Sequence, residues 1–350
     1  MNVQLMSPVG GTGYGYVGLN IIQELAKNHN IGYTPIGQPN VESQAQADLL
    51  NHCISVVHLI PDDSPSLKIW HQFDLLVRPG KGKYYAFPFF EVDKFNQKEL
   101  YHLNSTDEIV VSCKWAKDII QNNNISKPVH IVNMGVDTEI FNPNNNQITD
   151  NYIFITIGKW EKRKAHDIII ECFGQAFDSK DNVELWMVTN NPFLNKEEEA
   201  EWTKRVDSSP LREKIKVFPR LPNHQAVAQV LGYADCGIYI SRGEGWNLEL
   251  LETMAMNKPV IASNYSAHTE YCTPENSFLV NIAETEPAID NKWFFGDSNW
   301  AKIDQDQKDQ TIEHMRFCYS NRVLSNPAGL ETAQTLSWKN SCHQLLGCML

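Results

Sequence analysis

Ser241 to Tyr271 runs SRGEGWNLELLETMAMNKPVIASNYSAHTEY, and the fold follows from how this stretch divides. Leu248, Leu251, Met254 and Ala255 recur at helical spacing, which predicts a helix beginning near Asn247. Glu244 then lies in the preceding loop, beside Gly245 and a helix N-terminus whose free amides favour negative groups. Glu252, with seven residues between the two acids, falls in the second turn. Apolar runs on either side, Cys236 to Ser241 and Pro259 to Ser263, read as strands. Strand, acid-bearing loop, helix and strand make one repeat of a parallel α/β sheet, whose ligands bind at the carboxyl ends of the strands. The two carboxylates suit hydroxyl groups: Glu244 a polyhydroxylated group near a diphosphate at the helix end, Glu252 a ribose. Each such charged hydrogen bond is worth about 1.5–3 kcal/mol.

The same alternation extends in both directions. Strand Ile153 to Ile157 precedes helix Ala165 to Phe177, strand Glu184 to Thr189 precedes helix Lys196 to Val206, and strand Ile215 to Phe218 precedes helix His224 to Tyr233. Asn142 to Asp150, NPNNNQITD, is polar and without apolar period, and reads as a linker between domains 1–145 and 146–319. Before it, strand Val3 to Met6 runs through a glycine loop into helix Leu19 to Lys27. Strands follow at Ile31 to Pro35, Ser55 to Ile60 and Lys83 to Phe90, then helix Phe95 to Leu103, strand Glu108 to Ser112, helix Trp115 to Asn122 and strand Val129 to Val132. From Ile312 the chain is helical, with a late segment Ser337 to Leu346.

Length agrees with two domains, since 350 residues are twice the usual size of one. A net charge of -12 weighs against nucleic acid and anionic membranes as general partners, both of which want clustered positive charge. No apolar run has the about 18 residues of a membrane span, and MNVQLMSPVGG has no basic n-region, so a cytoplasmic chain is expected. The eight cysteines form no C-x-x-C pair and read as free buried thiols. Asp304-Gln-Asp306 is a D-x-D, but in a polar stretch without a flanking strand it reads as a solvated helix face, and no metal is expected.

Gly13-Tyr-Gly15-Tyr-Val-Gly18 is a G-x-G-x-x-G between strand and helix. A dinucleotide site would also need an acid at the end of the second strand, and Ile31 to Asn40 has none. The loop therefore serves as a floor for a diphosphate, with Gly11, Gly13 and Gly15 allowing close approach, or as a tight turn alone.

Several stretches together resemble the retaining, nucleotide-sugar-dependent glycosyltransferases of family four, which have the GT-B fold. Glu244 to Glu252 is similar to their E-x7-E signature. Asn133-Met-Gly-Val-Asp-Thr-Glu-Ile-Phe-Asn-Pro143 resembles their N-G-V-D-x-x-x-F-x-P segment, with Met134 inserted. Ile157 to Asp167 is similar to their G-R/K-x(n)-K-G element, with Ala165 in place of the glycine, and Phe89 to Asp93 with Asp107 to Ser112 resembles the middle of the first domain in one branch.

The resemblance implies two Rossmann-like domains facing across a cleft, with the final helix, about 320–350, packing back on the first. It implies that Glu244 binds donor-sugar hydroxyls, that the backbone at Gly245, Trp246, Asn247 and Leu248 lines sugar and phosphate, and that Glu252 holds the ribose. Lys159 and Lys164, with Arg163 as a competitor, would neutralise the leaving diphosphate in a locally positive cleft. The co-substrate would be a GDP- or UDP-sugar without a further cofactor, and the acceptor a hydroxyl of a glycan or glycoconjugate. On the acceptor side stand His58 as a base or a structural histidine, Glu91 with Asp93, and His268, which alternatively orients Glu270. Lys68, Arg78, Lys81 and Lys83 make a basic patch that receives an anionic acceptor or is merely solvated. An NAD-dependent oxidoreductase and a sugar-nucleotide-binding protein without turnover remain the alternatives.

Overall fold

The computed structural model describes residues 1–349. They form two compact units, Met1–Gly135 joined by the segment from Leu336, and Val136–Thr335. In the first, β1 (Asn2–Ser7), α1 (Gly13–Leu25), β2 (Asn30–Pro35), α2 (Gln44–Ser55), β3 (Ser66–Ile69), β4 (Tyr84–Phe87), α3 (Gln97–Asn104), β5 (Glu108–Val111), α4 (Lys114–Asn122) and β6 (Val129–Ile131) follow one another. The six strands are parallel in the order β2-β1-β3-β4-β5-β6. Val3, Leu5, Leu67, Ile69, Phe87, Ile109 and Val110 are buried on the sheet, the sign of strands covered on both faces.

The second unit holds β7 (Tyr152–Ile157), α5 (His166–Ala176), β8 (Val183–Val188), α6 (Lys196–Asp207), β9 (Ile215–Phe218), α7 (His224–Tyr233), β10 (Cys236–Tyr239), α8 (Leu248–Ala255), β11 (Val260–Asn264), β12 (Phe278–Asn281), β13 (Thr285–Ile289), β14 (Phe295–Ala301), α9 (Gln305–Ser320) and α10 (Pro327–Thr335). Its parallel sheet has the order β12-β11-β10-β7-β8-β9, so the carboxyl ends of β7, β10 and β11 lie side by side. Tyr152, Phe154, Phe173, Leu185, Met187 and Ile238 fill its core. The antiparallel hairpin β13-β14 belongs to neither large sheet.

α11 (Trp338–Met349) closes the chain against α1. A Cβ on Gly135 would stand 2.1 Å from the Trp338 amide, Trp338 meets Tyr16 edge-on, and the Cys342 thiol points to the Ile21 carbonyl.

The structure differs from the sequence expectation in several places. The units divide between Gly135 and Val136 rather than between 145 and 146, because the intervening segment lies on α7: Phe141 meets the His224 ring, and the Gln147 amide donates to the Gly232 carbonyl at 2.8 Å. Residues 320–335 stay with the second unit, where Asn326 Nδ2 donates to the carbonyls of Lys258 and Asn276. Ser55 to Ile60 is no strand; it is the end of α2 and a short 3-10 turn, Val57–Leu59, and the third strand is β3. Asp304 caps α9, its carboxylate accepting from the Asp306 amide while Gln307 reaches back to the Asp304 amide.

Candidate active site

At the carboxyl end of β7 the chain turns through Gly158, whose φ of +142° is open to glycine alone. A Cβ there would press on Lys164 Cε at 3.1 Å, so the glycine makes room for that side chain. A 3-10 turn, Lys162–Lys164, then leads through Ala165, left-handed at φ 56°, into α5. Ala165 thus occupies the conformation that glycine adopts most freely, at a cost of about 1–2 kcal/mol for a residue with a Cβ. Beyond β10, the loop Ile240 to Asn247 carries Glu244 toward this turn. Arg163 Nη1 donates to the Gly243 carbonyl at 2.7 Å and ties the two loops together.

Six charged side chains alternate in sign along the junction. Lys159 pairs with Glu161 at 2.8 Å, Glu161 with Arg163 at 2.9 Å, Arg163 with Glu244 at 2.8 Å, Glu244 with Lys164 at 3.0 Å, and Lys164 approaches Glu249 at 3.8 Å. Glu161, Arg163, Lys164 and Glu244 are buried. Burial alone would raise the Glu244 carboxyl, yet the charges of Arg163 and then Lys164 outweigh it and hold it at about 2. Burial likewise opposes the charge on Glu161, and Arg163 and Lys159 keep its carboxyl below the ordinary value. For Lys164 burial favours the neutral amine, but Glu244 and Glu249 reverse this and raise it. The three cations and three acids sum to zero. The locally positive cleft expected from Lys159, Arg163 and Lys164 is therefore corrected, because each cation is already paired.

Above this cluster stands the N-terminus of α8. Asn247 adopts φ +79°, and its Oδ1 accepts from the Leu250 amide at 3.3 Å. Its Nδ2 donates to His268 Nε2 at 2.9 Å, while His268 Nδ1 donates to the Ser263 carbonyl at 3.0 Å. Burial first of all lowers His268 to about 4, which keeps it neutral, as this bonding pattern requires. Tyr271 donates its hydroxyl to the carbonyls of Trp246 and Asn247 and packs on the Trp246 ring. Ser266 Oγ accepts from the Glu244 amide at 2.9 Å. The carbonyls of the loop are thus held inward, and the first-turn amides of Leu248 and Glu249 have no acceptor among the described residues. Such a helix end receives an anion.

Glu252 is buried in the second turn of α8, with no hydrogen bond or ion pair to its carboxylate among the described residues. Burial, followed by the nearby charge of Glu249, raises it well above the carboxylate range. An unpaired buried acid is costly and is what a hydroxyl-bearing ligand would relieve.

In the first unit, Gly11 and Gly13 lie exposed at the start of α1, and a Cβ on Gly13 would meet nothing within 4 Å. Gly15 differs: a Cβ there would stand 2.5 Å from the Gly10 amide nitrogen, so this glycine serves the packing of helix on loop. Tyr14 fixes the helix start, donating to the Phe89 carbonyl at 2.8 Å and accepting from the Phe89 amide at 3.0 Å. Glu91 follows β4 at the same edge, half-buried and near Tyr14. His58 does not reach that edge; it is exposed on the turn before β3, at the amino ends of the strands. His268, expected on the acceptor side, is fully buried with both ring nitrogens engaged, and positions Asn247. The basic patch is paired throughout: Lys68 with Asp74, Arg78 with Asp107, Lys81 with Asp62 and Lys83 with Glu108.

Sequence reasoning missed Glu161, Ser266 and His71. The alternation Lys159-Trp-Glu161-Lys-Arg163 was itself a signal for the first. His71 follows β3 at the carboxyl edge, its ring against Tyr14 and Trp70. The rule that picked His58 would have chosen His71 had the third strand been placed correctly.

Residues 151–291, which contain all six members of the charged chain, match the family described as Glycosyl transferases group 1. No curated protein matches the chain. Among solved structures, sucrose-phosphate synthase from Thermosynechococcus elongatus is similar over 99% of this chain and 98% of its own, at 13% identity and a TM-score of 0.72. Anabaena Alr3699/HepE in complex with UDP-glucose is similar over 99% of both chains, at 13% identity and 0.72. A glycosyltransferase from Rickettsia africae ESF-5 is similar over 99% of this chain and 97% of its own, at 14% identity and 0.72. The fold is that of the GT-B glycosyltransferases, and the match to Glycosyl transferases group 1 lies wholly within the second unit. No described helix is long and apolar enough to cross a membrane.

Proposed function

We propose that this chain is a retaining glycosyltransferase of family four that moves a hexose from a nucleotide-diphosphate sugar to a hydroxyl acceptor. The observation that carries the reading is the buried Glu244 cluster beneath the open N-terminus of α8, inside the matched domain. Glu244 takes donor-sugar hydroxyls, Glu252 the ribose, and the α8 amides the diphosphate. Breaking the sugar-phosphate bond concentrates negative charge on that diphosphate. Lys164 and Arg163 are already placed to receive it, and preplaced charge is worth most where water is excluded. Lys159, half-exposed at the end of the chain of pairs, completes the set. UDP is the first nucleotide to test because of the Anabaena complex, with GDP second. On the first unit, Glu91 and His71 at the carboxyl edge are offered to a glycan or glycoconjugate acceptor.

Thermal shift with UDP, GDP, ADP and NAD, followed by nucleotide release from the sugar donor with and without acceptor glycans, tests the reading. Stabilisation by UDP or GDP and acceptor-dependent release are expected. Lys164→Ala should lower turnover about 10²- to 10³-fold, with the melting transition retained. Stabilisation by NAD alone, or near-wild-type transfer by Lys164→Ala, overturns it; binding without any release leaves a sugar-nucleotide-binding protein instead.

A further inference from the structure

The Lys162–Lys164 turn is irregular backbone ending in a left-handed alanine, so its position depends on what holds it from outside. One holder is Arg242, which no motif singled out. It is buried, its Nη1 donates to the Lys162 carbonyl at 2.7 Å, and its own amide donates to the Arg163 carbonyl at 2.7 Å. Arg242 is in turn fastened to the hairpin β13-β14. Glu286 Oε1 takes its Nε at 3.2 Å and the Trp300 Nε1 at 3.3 Å, and the Ala301 amide donates to the Arg242 carbonyl at 2.7 Å. A second tie runs from Lys162 Nζ to the Ile289 carbonyl at 3.0 Å. Glu286 and Trp300 face each other across the hairpin, and Trp300 is fully buried. The hairpin pairs with neither large sheet. Its contacts from Glu286, Ile289 and Ala301 fall on the two loops that meet at Glu244, while its turn is tied to α6 by Lys292 Nζ on Glu198 at 2.7 Å.

We infer that the hairpin is a strap that sets the position of the cationic turn, and that Arg242 and Glu286 are positioning residues for Arg163 and Lys164. They act by fixing where two cations stand relative to Glu244. The inference deepens the proposed transfer reaction and rests on it for its kinetic consequence only. A displacement of about 1 Å in a site of this kind can cost about 10²-fold in rate.

Steady-state transfer by Glu286→Ala and Glu286→Gln, with the donor that the wild type uses, is combined with crystal structures of both variants. Glu286→Ala should lower kcat by about 10-fold or more while the donor KM moves by less than about 3-fold, the pattern of an interaction used mainly in the transition state. Glu286→Gln keeps an acceptor for Arg242 and should recover most of the rate, which a merely destabilised fold would not explain. In the Glu286→Ala crystal, Lys164 Nζ should leave its 3.0 Å contact with Glu244. Wild-type kcat in Glu286→Ala, or an unmoved Lys162–Lys164 turn in its crystal, overturns the inference. Should the wild type turn over no nucleotide-sugar, the transfer reading fails, and the crystal comparison decides the strap by itself.

Discussion

Replacing Glu244 with Gln keeps shape and removes one charge from between two buried cations, and the consequence depends on pH in a way that can be worked out. The carboxyl falls from 4.5 to about 2 on folding, which corresponds to about 3 kcal/mol of stability at neutral pH. A carboxyl whose pKa is depressed in the folded state contributes fully above its unfolded value and loses that contribution as pH falls toward the folded one. The wild type should therefore exceed Glu244→Gln by about 3 kcal/mol at pH 7, about 2 near pH 3.5 and about 1 near pH 2.5. The neutral-pH figure agrees with the about 3–5 kcal/mol typical of breaking a buried pair on one side. It lies at the lower end because Arg163 keeps Glu161 at 2.9 Å and Lys164 keeps Glu249 at 3.8 Å. Urea unfolding of both proteins across this pH range, following the transition of the second unit, measures the gap. Equal stabilities at pH 7, or a gap that stays constant into acid, would refute the ion-pair reasoning, since packing loss alone has no reason to titrate with Glu244.

Glu252 has the opposite sign: its folded pKa lies well above 4.5, so the ligand-free protein loses stability as pH rises from there through the folded value. Glu252→Gln should flatten the fall of the melting temperature as pH rises above 4.5 and weaken stabilisation by UDP; parallel profiles would contradict it. Gly15→Ala should cost about 1–3 kcal/mol in the first unit through its 2.5 Å clash, measured by urea unfolding. Gly13→Ala should cost nothing there and gain up to about 1 kcal/mol of helix stability; a loss as large as that of Gly15→Ala would show that both glycines serve packing. Because the charged cluster is neutral and the whole chain carries -12, kcat/KM for an anionic donor should change less than about 3-fold between low and physiological salt. A steep fall with salt would reveal an attractive field that the ion pairs do not leave.

The second unit was more legible than the first, for a reason visible in its strands. β7 and β10 are buried at every position and β11 at all but its last, and such continuous apolar runs are easy to read. α2 buries only Leu50 and Cys53, too little for a period, and β3 is four residues that include the buried Lys68. Missing both moved the third strand to Ser55–Ile60 and drew attention to His58. The hairpin β13-β14 was unreadable because much of it is exposed and Pro287 and Gly296 interrupt any alternation. At the candidate site, sequence identified the cations and Glu244, and the alternation around Glu161 was a signal for that acid, but that Glu249 across the α8 turn ends the chain of charges is a property of side-chain placement.

That closure changes how the site must work under the proposed reading. Bare cations attract a diphosphate but resist burial, whereas paired ones can be buried in advance and held by Arg242 and the α8 loop. An entering diphosphate then need not pull lysine or arginine out of water. It substitutes for Glu244 on one side of Lys164 and Arg163, and the released carboxylate turns to the hydroxyls of the sugar that arrived with it. Ground-state binding gains little from such an exchange, because one anion replaces another. As the sugar-phosphate bond breaks, the phosphate gains charge that the sugar loses, and the same two cations hold it more tightly than before. The arrangement thus places its electrostatic gain in the transition state, where it accelerates transfer.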